Sequence, residues 1–305
     1  MVNMKRNTVF KTSILTVLAL IAFAANSVLC RLALGNEAID APGFTGIRLL
    51  SGAISLFIIL TIRGKISEAN QKANKVIESK GSWTASLALF LYAITFSYAY
   101  LSIDTGTGAL ILFGSVQITM IALSIISGTR LHLIEWFGLI CAFSGFVYPI
   151  LPSITTPSFN GLILMTISGI SWSIYTLKGR NSKDPLMDTA YNFLRTTPYV
   201  TILIFVTLPN INYTSEGIFL ALISGAVTSG LGYTIWYIAL GGLSSTQAAV
   251  TQLSVPVIAA IGGVIFVSEA MTVSLIISVF LVLSGILMVV LGKYYYTKKQ
   301  LKLKI

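Results

Sequence analysis

The chain has 305 residues, of which 55% are hydrophobic and only 10% are charged, and its formal net charge is +10. Soluble domains carry about 25% charged residues, so this chain has too few to cover a water-exposed surface. The composition excludes an ordinary soluble domain and indicates an all-α membrane protein that crosses the bilayer several times. Cys30 and Cys141 lie in apolar runs and are predicted to be free packing residues. The single histidine, His132, has no metal ligand beside it, so no metal site is expected.

Apolar runs long enough to cross a membrane recur along the whole chain. A transmembrane helix needs about 20 apolar residues, and runs of this kind predict ten spans. The first run continues past "AFAANS", so we expect an uncleaved first helix rather than a signal peptide. The predicted spans are residues 12–34, 43–62, 83–102, 105–127, 133–151, 160–178, 187–208, 215–238, 246–267 and 272–292.

The basic residues predict the orientation of these spans. With the N-terminus in the cytoplasm, all but three of the 20 Lys and Arg residues fall in cytoplasmic segments. The exceptions, Arg31, Arg48 and Arg195, lie inside predicted spans. This asymmetry follows the positive-inside rule, so both termini are expected in the cytoplasm, with a basic tail over residues 293–305. The positive charge therefore predicts contacts with the lipid bilayer and its anionic headgroups, and no nucleic-acid partner.

Polar side chains inside the spans are the candidate functional residues, because in hydrocarbon they face protein or water rather than lipid. Asn26 lies well within the first span, where an unpaired amide is unfavourable, and we expect it to have a functional role. Arg31 lies near the outer end of the same span, with Glu37 and Asp40 nearby, and is expected to be structural.

Aromatic residues cluster in the third, sixth and eighth spans. Tyr100 and Tyr237 lie near span ends and are expected to belong to the interfacial belts. Aromatic side chains deeper in the spans can stack on a flat or apolar substrate, with a place in the belts as the alternative. These deeper candidates are Tyr92, Trp172, Tyr175 and Tyr233.

Hydrogen-bonding side chains recur at helical spacing on one face of the ninth span, and Pro256 frees backbone carbonyls beside them. These groups form either the wall of a cavity or polar contacts between helices. Gln117, in the fourth span, is a similar polar residue. It follows Val116, the position that corresponds to Pro256 in the other half. The candidates in the ninth span are Gln247, Thr251 and Gln252.

The two halves of the chain resemble each other. The stretch "TGIRLLSG" around Arg48 aligns with "YNFLRTTP" around Arg195, and "IDTGTGALILFGSVQ" aligns with "LSSTQAAVTQLSVPV". Each half then carries five spans, and this odd number makes the second copy enter the membrane from the opposite side. Such inverted repeats are typical of secondary transporters, whose substrate site lies near the midplane between the repeats. Arg48, Arg195 and the neighbouring Asn192 are therefore candidate site residues.

The second half also resembles a known family. The run from Gly230 to Gly292 contains a small-residue stretch, Pro256, the turn "SEAM" with Glu269, and a late Gly285. In these features the run resembles the second EamA repeat of the drug/metabolite transporter superfamily. Each repeat of that family has five helices, so the resemblance agrees with the five spans counted in each half of this chain.

The first half resembles the same repeat at "AANSVLCRLAL", "GIRLLSGA" and "GTRLHLIEWFGLICAFSGFVYPI". It departs from the pattern at Val116 and Thr129, which stand where the proline and the turn glutamate would be. The resemblance implies ten transmembrane helices arranged as two inverted five-helix EamA repeats, residues 12–151 and residues 160–292.

The resemblance implies transport as the function. The chain contains no GxSxG, HExxH or Walker-type motif, so we expect neither an enzyme nor an ATP-driven pump, and no cofactor. We predict a secondary transporter in a bacterial inner membrane that exports a small organic metabolite, an amino acid or a drug-like compound by alternating access. A proton or a counter-substrate would supply the driving force. Glu269 is a candidate for proton coupling, but its position at the outer turn favours capping a helix or anchoring a loop. The alternative is uptake or exchange of an anionic metabolite bound by Arg48 and Arg195.

Overall fold

A computed structural model describes residues 2–69, 80–126, 133–148, 158–179, 182–208, 212–243 and 251–302. These residues are almost entirely helical, as the composition predicted, and an isolated bridge joins Ile39 to Tyr213. A π-helix, Ser224–Leu231, continues α9 into α10. The α-helices are α1 (Val2–Gly35), α2 (Ala41–Ala69), α3 (Trp83–Ala99), α4 (Thr105–Ile126), α5 (Leu133–Val147), α6 (Phe159–Gly179), α7 (Pro185–Leu194), α8 (Thr197–Thr207), α9 (Ser215–Ile223), α10 (Gly232–Leu240), α11 (Ser254–Phe266) and α12 (Val273–Lys302).

The helices lie where the apolar runs predicted membrane spans. Four of them are long and apolar enough to cross a bilayer within the described residues, namely Phe10–Gly35, Ala41–Lys65, Thr105–Leu123 and Ser215–Leu240. Shorter apolar stretches lie within α3, α5, α11 and α12, namely Trp83–Ala99, Trp136–Gly145, Ser254–Phe266 and Val273–Gly285. The fourth, fifth and ninth predicted spans extend into residues outside the described segments, so the count of ten spans stays a prediction.

The outward face of α2 shows how these helices meet the lipid. Ile54, Ile58 and Ile62 follow one another at every fourth residue and are more than half exposed. Residues at this spacing share one face of a helix, and a continuous isoleucine stripe is unfavourable in water. The stripe therefore faces the hydrocarbon, while the opposite face of α2, with Arg48, is buried.

The predicted seventh span is not one continuous helix. Helix α7 ends at Leu194, Arg195 is its C-cap, and α8 begins at Thr197. Pro198 lies in the first turn of α8, and its ring would clash with the carbonyl of the residue four positions earlier in an uninterrupted helix. The proline therefore ends α7 and places Arg195 at a junction rather than on the face of a span.

Small residues bring the helices into close contact. A Cβ atom added to Gly285 on α12 would lie 2.4 Å from the Ala142 nitrogen on α5. One added to Gly169 on α6 would lie 2.6 Å from the Leu112 carbonyl oxygen on α4. Such small-residue contacts are a common basis of helix association in membranes. In the same way α2 packs against the π-helix, and α1 packs against α10, α11 and the π-helix.

Candidate functional site

The centre of the candidate site is Arg48, which α2 carries into the protein interior. Its side chain is 1% exposed. The guanidinium donates from Nε to Ser229 Oγ at 2.9 Å, and from Nη2 to the hydroxyls of Tyr92 at 2.9 Å and Tyr233 at 2.8 Å. The Arg48 Cζ atom also lies 5.2 Å from the ring centre of Tyr92 and 4.9 Å from that of Phe96. Four side chains from three elements therefore hold one buried cation.

The positive charge of Arg48 has no described carboxylate to balance it. The ion pairs in the described part of the chain involve Arg31 and Arg63, not Arg48. The Nη1 atom of Arg48 is buried and has no hydrogen-bond partner among the described residues. Burying an ionised group is costly unless it is paired, so Arg48 keeps one buried donor and one positive charge that the described residues do not satisfy.

Asn26, on α1, organises the groups beside Arg48. Its Nδ2 donates to Ser229 Oγ and to the Tyr233 hydroxyl, each at 3.2 Å. Its Oδ1 accepts from Ser224 Oγ at 2.5 Å and from Thr228 Oγ1 at 3.1 Å. Two donors and two acceptors exhaust the usual capacity of an amide. Asn26 therefore fixes two of the three hydroxyls that Arg48 binds, those of Ser229 and Tyr233. We call Asn26, Arg48, Tyr92, Ser229 and Tyr233 the polar cluster.

The π-helix supplies three of the partners of Asn26, namely Ser224, Thr228 and Ser229. It can approach α2 because Gly225 has no side chain, and an added Cβ would lie 2.0 Å from the Arg48 carbonyl oxygen. π-Helical turns are rare and occur frequently at functional sites. The irregular helix therefore places its hydroxyls directly against the buried arginine.

Six buried rings, including those of Tyr92 and Tyr233, contact one another beside Arg48, and we call them the aromatic cluster. The Trp172 ring lies 4.6 Å from Tyr233 and 4.9 Å from Tyr92, measured between ring centres. The Nε1 atoms of Trp172 and Trp236 are buried and have no hydrogen-bond partner in the described segments. Trp172 therefore touches both tyrosines that bind Arg48, with an open donor of its own. The members are Phe23, Tyr92, Trp172, Tyr175, Tyr233 and Trp236.

The structure brings half of the sequence-predicted residues together. The polar and aromatic clusters contain Asn26, Arg48, Tyr92, Trp172, Tyr175 and Tyr233. Sequence reasoning missed the serine and threonine residues of the π-helix. The small polar run "SGAVTSG" in the eighth span was the available signal, since Ser224 and Thr228 are spaced to share one helical face.

The other predicted residues are not members of the polar or aromatic cluster. Arg195 donates to the Lys80 carbonyl oxygen and lies over the Trp83 ring, 5.6 Å from its centre. Asn192 is buried and accepts from the Ser82 amide at 2.9 Å. Both therefore join α7 to the start of α3. Gln117 is buried in α4, and Thr251 and Gln252 lie just before Leu253, the N-cap of α11. Gln247 lies outside the described residues.

Contacts among Arg31, Asp104 and Glu269 join the two halves outside the polar and aromatic clusters. We call these three residues the outer clasp, after the predicted orientation. Arg31 Nε donates to Glu269 Oε1 at 3.2 Å, and Arg31 Nη2 lies 3.5 Å from Asp104 Oδ1. Arg31 Nη1 donates to the Tyr100 carbonyl oxygen at 2.9 Å. The backbone amide of Thr105 donates to both Glu269 carboxylate oxygens at 2.9 Å. Glu269 thus caps α4 and anchors Arg31, in line with its predicted role.

An inner clasp lies at the opposite end of α2. The Arg63 guanidinium forms a bidentate pair with Asp184, with N–O distances of 3.0 and 2.6 Å. Partial burial acts to raise the pKa of Asp184, but hydrogen bonds from Arg63 and from the Met187 amide hold that pKa below its ordinary value. The pair therefore stays ionised at neutral pH, and its contribution to stability is lost only as the pH falls through the lowered pKa.

Comparisons with known proteins agree with this architecture. A model of the EamA-like transporter family matches residues 10–149 and again residues 159–291. An uncharacterized protein of Pseudomonas aeruginosa is 42% identical, over 92% of this chain and 94% of that protein. The uncharacterized transporter YoaV of Bacillus subtilis is 23% identical, over 80% of this chain and 85% of that protein. A solved crystal structure with 16% sequence identity shares the fold, with a TM-score of 0.62 over 90% of this chain and 98% of the other.

Proposed function

Because the chain belongs to the EamA-like transporter family and is a multi-pass membrane protein, we propose that it is a secondary transporter that exports a small organic metabolite, an amino acid or a drug-like compound. It works by alternating access in a bacterial inner membrane, with both termini in the cytoplasm. A proton or a counter-substrate supplies the driving force. The two family matches correspond to two five-helix repeats of opposite orientation.

The position of the polar cluster is the observation that carries this proposal. Arg48 and Tyr92 come from helices of the first family match, whereas Ser229 and Tyr233 come from the second. Secondary transporters built from inverted repeats bind their substrate at the interface between the repeats. Arg48 is the eighth residue of α2, which is about 10 Å along the helix axis. A buried polar site at this depth and interface supports transport through the middle of the protein.

The two clasps support the alternating-access mechanism. Each of them joins the first half to the second, one beyond each end of the buried clusters. Alternating access needs contacts that close one side of the membrane while the other side is open. In our proposal the outer clasp separates when the site opens outward, and the inner clasp separates when it opens to the cytoplasm.

A second candidate function is uptake or exchange of an anionic metabolite. The unbalanced charge and open Nη1 donor of Arg48 favour it. Both candidates use the same site, but the second differs in the direction of net movement and in requiring an anionic substrate.

Metabolite profiling tests the proposed function. Cells that overproduce the protein are compared with empty-vector cells and with cells that carry Arg48→Gln at an equal level in the membrane. We expect at least one small organic solute to rise severalfold in the medium and fall in the cytoplasm, only with the unmodified protein. Identical profiles in all three strains would contradict transport, and intracellular accumulation would favour uptake.

A further inference from the structure

We propose that the polar cluster binds the carboxylate of a monocarboxylate anion that has an aromatic or branched apolar body and no ammonium group. The inference rests on the proposed transport function and specifies its substrate class. The charge of the site, its acceptors and its rings each support this substrate class.

The single positive charge of Arg48 favours a ligand with one negative charge. Arg48 is the one arginine or lysine of the polar cluster, and its Nη1 atom is the open donor. A guanidinium and a carboxylate form one of the strongest charge-assisted contacts in proteins. A monoanion balances the Arg48 charge, whereas a phosphate monoester with two charges would leave one buried and uncompensated.

The acceptors of the site disfavour an ammonium group. Within the described residues, no hydrogen bond or ion pair joins a carboxylate to a member of the polar cluster. The Oδ1 atom of Asn26 already accepts two hydrogen bonds, and an indole Nε1 can only donate. A zwitterionic amino acid would therefore lose the hydration of its ammonium group without gaining a carboxylate partner.

The rings of the site fit the body of such an anion. Trp172 contacts both Tyr92 and Tyr233, the two tyrosines whose hydroxyls hold Arg48. Trp172 is 3% exposed, and its Nε1 atom is an unpartnered donor within the described residues. A carboxylate on Arg48 therefore places the adjoining carbon skeleton against aromatic faces, where offset and edge contacts are favourable.

Binding to the purified, detergent-solubilised full chain tests this inference without any need for transport. Isothermal titration at neutral pH compares phenylacetate with phenylacetamide, phenylalanine and phenyl phosphate. We expect phenylacetate to bind at least about tenfold more tightly than each of the others, since hydrogen bonds to charged groups exceed neutral ones by about this factor. Equal affinities for phenylacetate and phenylacetamide, or tighter binding of phenylalanine, would overturn the proposal.

Two variants in the site and one outside it locate the anchor. Arg48→Gln is expected to weaken phenylacetate binding at least about tenfold, whereas Arg195→Gln should leave it unchanged. Asn26→Asp keeps the side-chain volume and places a carboxylate beside the Ser229 hydroxyl that Arg48 binds. That carboxylate should balance Arg48 and displace the ligand, again with a loss of at least about tenfold. A folded Arg48→Gln or Asn26→Asp protein with unchanged affinity would refute the anchor, and a loss only in Arg195→Gln would move it to α7.

The outcomes separate this inference from the proposed function. Phenylacetate binding that depends on Arg48, without any exported solute, supports the site and contradicts the transporter. Export that is accompanied by no preference for carboxylates supports the transporter and contradicts the monocarboxylate assignment.

Discussion

Replacing Gly225 with alanine is expected to separate α2 from the π-helix and to lower the free energy of unfolding by about 3 kcal/mol, at the upper end of the range for overpacking. An added Cβ would lie 2.0 Å from both the Arg48 carbonyl oxygen and Ser51 Oγ. The first of these atoms belongs to the backbone, so no rotamer change relieves the clash. The shift would carry Arg48 away from Ser229 and should also abolish phenylacetate binding.

Thermal unfolding of the purified protein measures this effect. Gly64→Ala is the matched control, because Gly64 lies on α2, the helix that Gly225 contacts, and a Cβ added there would meet nothing within 4 Å. We expect the control to keep or slightly raise the melting temperature, since alanine is the better helix former by about 1 kcal/mol. A Gly225→Ala protein as stable as the Gly64→Ala protein would show that the close contact with α2 is not needed.

Replacing Asn26 with leucine is expected to cost about 2–4 kcal/mol of stability, because it strands buried hydroxyls on the π-helix. Asn26 is 1% exposed and forms four hydrogen bonds to other side chains. Leucine keeps a similar volume but offers no acceptor to Ser224 and no donor to Ser229. Denaturant or thermal unfolding in detergent measures the loss.

A double-mutant cycle with Ser224→Ala isolates the contact. Ser224 donates to Asn26 Oδ1 at 2.5 Å, and alanine at position 224 removes the hydroxyl that Asn26→Leu would strand. Contacting residues in one network couple by about 0.5–3 kcal/mol. We therefore expect the double variant to be destabilised by less than the sum of the single variants. Strict additivity would mean that the two side chains do not share a hydrogen bond in the membrane protein.

Much of the fold could be predicted because membrane helices are recognisable in a sequence as long apolar runs. The apolar runs predicted where helices lie, and the asymmetry of basic residues predicted an orientation. The sequence analysis did not predict the break at Pro198, which divides the seventh predicted span into α7 and α8. The run of apolar residues around it concealed the break, although a proline inside a helical pattern is itself a signal of one.

The two aligned arginines show what a repeat cannot predict. Their positions in the repeats match, yet Arg48 is buried in the polar cluster and Arg195 lies at a helix junction against Lys80 and Trp83. The local backbone after each arginine differs, since α2 continues without interruption and α7 ends. The environment of a side chain depends on such local differences, and an alignment of the halves does not record them.

The hydroxyls of the π-helix show a second limit. Ser224, Thr228 and Ser229 lie in a run of small residues that favours close helix packing, and that run predicts contact without predicting its partner. Only the pairing with Asn26 and Arg48 turns them into part of a site. Burial made Asn26 a candidate from the sequence, since an isolated amide in hydrocarbon requires a partner. The identity of the partner required the fold.

Locating a bound carboxylate directly gives the sharpest test that the cluster around Arg48 is the substrate site. Crystals of the full chain grown with 4-iodophenylacetate would reveal the iodine by its anomalous scattering. We predict one iodine peak among the rings of the aromatic cluster, with the carboxylate on Arg48, and loss of the peak in Asn26→Asp crystals. An iodine peak beside Arg195 and Trp83, with none in the aromatic cluster, would contradict the account.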